Sequence, residues 1–110
     1  MQGFWTVNFR GVEGFGGGVV TLENGQVLGG DSCFTYIGTY TQDGGTLHGR
    51  VHVKRHAAGL SNVMGRDEFD LEITGTRTGA HSLVVAAVIP GTPLRLNGTM
   101  TKLRDLPVAA

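Results

Sequence analysis

The chain has 110 residues, of which 40% are hydrophobic and 16% charged; that is material for one domain over residues 1–110 and too apolar for a disordered chain. Nine basic residues balance nine acidic ones, which argues against a general polyanion binder. Nineteen glycines against three prolines far exceed the roughly 7% usual for glycine, and without a Gly-X-Y period they do not make a collagen.

The predicted elements are strands. Stretches rich in Val, Thr, Phe and Tyr recur with Gly-rich punctuation between them. Gly3 to Arg10 reads as the first strand, followed by a loop Gly11-Val12-Glu13-Gly14 and a second strand from Gly16 to Glu23. Asn24-Gly25 is the strongest hairpin signal, because both central positions of a type I′ turn need positive φ. A third strand runs from Gln26 to Gly30, Asp31 turns the chain, and a fourth runs from Ser32 to Thr41. After the tight turn Asp43-Gly44-Gly45, a fifth strand covers Thr46 to His56. Ala57 to Met64 is the one helix candidate, a turn or two at most, with Gly59 inside it and Gly65 after it. The remaining strands are Arg66 to Thr76, Ala80 to Ile89 and Leu94 to Leu103, with Pro90 and Pro93 falling between the last two. The tail from Asp105 to Ala110 has no pattern.

Eight short strands joined by tight turns predict an all-β fold, an antiparallel up-and-down barrel. Closing the sheet removes both edges, and eight strands enclose room for side chains or one small ligand. Glycines in or beside the strands suit the sharp bends of so small a barrel.

Alternation sorts the two faces. Trp5, Val7 and Phe9 go inside, as do Val20 and Leu22, then Leu47, Val51 and Val53, then Phe69, Leu71 and Ile73. The outward residues of the fifth and sixth strands carry charge. Antiparallel pairing around a loop near Ser61 sets Lys54 opposite Glu68, His52 opposite Asp70 and Arg50 opposite Glu72, a ladder that fixes register. His48, His52 and His56 are spaced about 13 Å apart along a strand, too far to share one metal ion. The seventh strand is apolar on both faces. His81, Leu83, Val85, Ala87 and Ile89 form one; Ser82, Val84, Ala86 and Val88 form the other, which suits a homodimer interface, packing beneath the short helix or the C-terminal tail, or a membrane surface.

No catalytic constellation emerges, and a non-enzymatic protein without a cofactor is expected. Asp31 after Gly29-Gly30 reads as a side-chain cap of a bend. Gly14-Phe15-Gly16-Gly17-Gly18 lacks the Lys-Ser/Thr and the helix of a phosphate loop. Cys33, the only cysteine, reads as a buried or half-buried filler with no basic partner near in sequence, and it excludes an internal disulfide and a cysteine zinc cluster. Zero net charge and eight aromatics, several of them inward, argue against nucleic acid. Trp5, Phe9, Tyr36, Tyr40, Phe69 and Met100 are the candidate lining of a cavity for a small apolar ligand; the same residues would equally build a filled core. Cys33, Thr35 and Ile37 compete with Tyr36 and Tyr40 for the inner face.

Met1 to Thr6 shows neither a basic nor a long apolar stretch, so no signal peptide is read there. The longest apolar run, Leu83 to Ile89, is far short of the roughly 20 residues of a membrane-spanning helix. A cytoplasmic protein away from membranes is the expectation.

Gly3-Phe4-Trp5 is similar to the Gly-x-Trp opening of lipocalin-like barrels. More of the chain resembles the GrlR-like family of small bacterial proteins, named after a negative regulator of a type III secretion locus. The shared parts are Gly3 to Phe9, Gly17 to Gly25, and Gly29-Gly30-Asp31-Ser32 leading to Tyr36-Ile37-Gly38-Thr39-Tyr40. The resemblance implies a lipocalin-like, homodimeric, non-enzymatic barrel. Its regulator acts on a transcriptional activator through an acidic Glu-Asp-Glu-Asp surface motif. The matching turn here, Thr41-Gln42-Asp43-Gly44-Gly45, holds one acid. Gln42 and Asp43 therefore mark where a protein-interaction loop would lie, and the activator-binding role is not carried over to them. Avidin-like barrels are a weaker comparison, since they need a Trp-rich pocket and Trp5 is the only Trp.

Overall fold

A computed structural model describes residues 1–11, 14–59 and 66–108, with the backbone alone for 14 and 15. Asn24 and Gly25 both adopt positive φ, 49° and 78°, as a type I′ turn requires. The strands they join are β2 (Gly14–Glu23) and β3 (Gln26–Gly30). Around them lie β1 (Gly3–Gly11), β4 (Phe34–Asp43), β5 (Thr46–Arg55), β6 (Glu68–Gly79), β7 (Ser82–Val88) and β8 (Arg95–Arg104). Each strand pairs antiparallel with the next, and β8 returns to β1. The result is a closed eight-stranded barrel of the lipocalin-like kind, with no free sheet edge.

Several strand ends differ from the sequence reading, for local reasons. β4 starts at Phe34 rather than Ser32, because Asp31 Oδ1 accepts hydrogen bonds from the amides of Cys33 and Phe34, at 2.9 and 2.8 Å, and keeps the chain ahead of Phe34 in a turn. β5 ends at Arg55 rather than His56, since the amides of His56 and Ala57 both turn to the Cys33 carbonyl. β1 and β2 run further towards each other than expected, leaving only residues 12 and 13 between them. β6 runs on to Gly79, with a register irregularity between Arg77 and Gly79, and Ala80-His81 form the turn rather than the start of β7. Of the helix expected over Ala57–Met64, residues 57–59 are bends and the rest lie outside the described residues, as does the loop centre at Ser61. Among the described residues there is no helix.

Side-chain alternation holds around the whole wall. Trp5, Leu22 and Leu83 are each 1% exposed, and Val20, Leu47, Val51, Val53, Phe69 and Leu71 are buried with them. Val7, Phe9 and Ile73 are half-buried against this core. Two inward glycines are steric necessities. A Cβ at Gly29 would strike the Val19 carbonyl oxygen, and one at Gly38 the Arg50 carbonyl oxygen. The strongly coiled sheet brings neighbouring backbones too close there for any side chain.

Candidate functional site: the barrel interior and its outer wall

Side chains from β1 to β8 converge on an internal cavity of about 90 Å³. Phe9, Tyr36, Phe69 and Met100 line it, as the alternation of their strands requires. Phe9 and Tyr36 meet edge to face, with ring centroids 6.3 Å apart. Val51, Leu71 and Val85 complete much of the wall; alternation had turned them inward without marking them as lining.

Two of the six residues named from the sequence lie elsewhere. Trp5 points inward near the start of β1, buried but outside the cavity lining, and donates its indole N–H to the Met1 carbonyl at 3.0 Å. Tyr40 pairs with Gly49, is only half-buried, and borders an outer depression with His48, Arg50 and Glu72. The contest on β4 resolves in favour of Phe34 and Tyr36, which are buried, while Ile37 points outward at 49% exposure.

Tyr36 is the one lining side chain with a polar atom. Its hydroxyl leaves the cavity to donate to Asp31 Oδ2. Burial, and then this bond, push the phenol far above its ordinary pKa, so it stays a neutral donor. Asp31 is thus committed on both oxygens, one to Tyr36 and the other to the amides of Cys33 and Phe34. His56 Nε2 adds a 3.0 Å bond to the Asp31 carbonyl oxygen. These bonds tie the β3–β4 turn to the chain leaving β5. Arg55 reinforces the same corner: its guanidinium lies 4.5 Å from the centre of the Phe34 ring, and its Nε donates to Asp67 at 2.8 Å. Cys33 is a half-buried free thiol, 3.9 Å from the Ala58 carbonyl oxygen.

Outside, the register of β5 and β6 is the one the charge pattern predicts: Lys54 faces Glu68, His52 faces Asp70, and Arg50 faces Glu72. The ladder is partly diagonal. His52 Nδ1 meets Asp70 at 2.7 Å, and its Nε2 meets Glu68, also at 2.7 Å; Arg50 and Glu72 are 3.6 Å apart. Asp70 first, then Glu68, hold the imidazole above its ordinary pKa. Among the described residues no group of three or more His, Cys, Asp or Glu is placed to hold a metal ion.

The rest of the outer wall has another character. β7 holds no charged residue; those of β1 to β4 stand near strand ends, at Arg10, Glu23 and Asp43, and β8 carries Arg95 at its start and Lys102 and Arg104 towards its end. Between them the wall is uncharged, built mostly of Thr, Asn, Val, Leu and Ile, with Phe4 and Ala86 among them. Val84 is 46% exposed on β7, with Ala86 exposed and Ser82 and Val88 half-buried beside it. A second apolar patch, which sequence reading missed, joins Val19 to Leu28 and Ile37; the last two are direct cross-strand partners. Gln42 and Asp43 are exposed at the far end of β4, where the Gln42 amide donates to the Gly44 carbonyl at 3.4 Å. No helix among the described residues is long and apolar enough to cross a membrane.

Neither a protein-family model nor a curated protein matches the chain.

Proposed function

We propose that this protein is a non-enzymatic regulatory or protein-interaction module of the GrlR-like type, cytoplasmic and homodimeric. The observation that carries the reading is the outer wall: the middle of β7 is apolar or small on its exposed face, with Val84 46% exposed at its centre. Charge would oppose close packing of two such faces, and there is none in that stretch. The resemblance of Gly29-Gly30-Asp31-Ser32 and the residues after it adds support. A protein partner, a transcriptional activator for instance, belongs to this reading; the acid-poor turn at Gln42 and Asp43 does not supply the acidic motif for it. Light scattering after size exclusion at micromolar concentration tests the dimer. Twice the chain mass is expected for the native protein and a monomer for Val84→Glu, whose side chain enters no core. A native monomer, or a dimer indifferent to Val84→Glu, would overturn the assignment of this face.

A second reading, a carrier or sensor of a small apolar molecule, is favoured by the cavity. At about 90 Å³ it falls short of the roughly 300 Å³ at which drug-sized pockets begin, so any occupant is compact.

A further inference from the structure

We infer that the barrel interior takes up compact molecules that carry no hydrogen-bonding group, and discriminates against their hydroxylated counterparts. The inference rests on the second reading above, that the cavity holds a ligand, and names the ligand's class.

Three observations carry it. The first is size: about 90 Å³ is several times the roughly 30 Å³ that one water occupies in the liquid, and dry apolar cavities of about 150 Å³ are known to admit benzene or xenon. The second is the lining. Apart from the weakly accepting sulfur of Met100, its side chains offer only carbon, except at Tyr36. The third is that Tyr36 is already engaged. Its proton goes to Asp31 Oδ2, and Asp31 Oδ1 is taken by two amides. The wall's backbone groups are paired strand to strand, and among the described residues no buried side-chain nitrogen or oxygen lacks a partner.

A hydroxyl brought into this space would give up its bonds to water and find none in return. Water gains little there for the same reason, since a buried water needs two to four polar partners. A hydrocarbon surrenders nothing on entry and gains contacts with a wall that otherwise faces a void. The Asp31–Tyr36 bond is what makes the cavity selective: it draws the single available hydroxyl out of the interior.

The test is a methyl-NMR titration of the full chain with three probes. Xenon reports whether the space is accessible. Isobutane and 2-propanol differ by one methyl-for-hydroxyl replacement and report the class. Saturable shifts at Val51, Leu71 and Val85 are expected with xenon and isobutane, and binding at least about tenfold weaker with 2-propanol. Equal or tighter binding of 2-propanol at these methyls would overturn the inference and leave the ligand reading standing. No response to xenon or isobutane would overturn both.

Discussion

Tyr36 and Asp31, five residues apart, are joined by a hydrogen bond from the phenol to Asp31 Oδ2 that crosses from the barrel core to the β3–β4 turn. One carboxylate thereby caps a turn with one oxygen and fixes the orientation of a core aromatic with the other. The turn and the packing of the interior are a single unit.

Asp31→Ala should therefore destabilise the fold by about 1–3 kcal/mol, the cost of leaving a buried hydroxyl and turn amides without their acceptor. Tyr36→Phe removes the hydroxyl along with its need and should cost less, about 1 kcal/mol. Urea denaturation of both variants checks the order.

His52 supplies a pH dependence. Its folded pKa lies above the ordinary 6.5 because Asp70 and then Glu68 favour the imidazolium. The contribution to stability is fully present below pH 6.5 and is lost as pH rises through the higher folded value. The ring is 46% exposed, so solvent screens the pair and the effect belongs to the 0–1 kcal/mol range of surface ion pairs, about what His52→Gln should abolish. Histidine proton shifts followed against pH, at low and high salt, read both the raised pKa and its screening.

Two glycine substitutions should rank in a definite order. Gly29→Ala drives a methyl into the Val19 carbonyl oxygen and should cost about 1–3 kcal/mol through overpacking. Gly44→Ala meets nothing within 4 Å, and its strain is only that of φ +60°, about 1 kcal/mol. Thermal denaturation of the two variants compares them; a Gly29→Ala protein as stable as Gly44→Ala would mean that β2 and β3 separate more easily than their register implies.

Much of the barrel is legible in the residues because its determinants are local. Asn24-Gly25 demands a tight hairpin, the two-residue period turns Val51 and Leu71 inward, and the charges on β5 and β6 admit one register. Alternation is a property of the backbone pleat, so it survives whatever the sheet does next. The same rule was silent about Trp5 and Phe9. Both lie on the inner face of β1, yet Phe9 borders the cavity and Trp5 does not.

Parity says which side of the wall a residue occupies; height along the barrel axis depends on how eight strands shear past one another before they close. The amino-acid order alone determined that there are eight strands, the faces of β1, β5 and β6, and the pairing of His52 with Asp70. Tertiary closure alone decided that the enclosed space is small, that Ile37 joins Leu28 on the outside, and that the hydroxyl of Tyr36 is spent on Asp31, because each of these depends on where side chains from distant strands meet across the curved sheet.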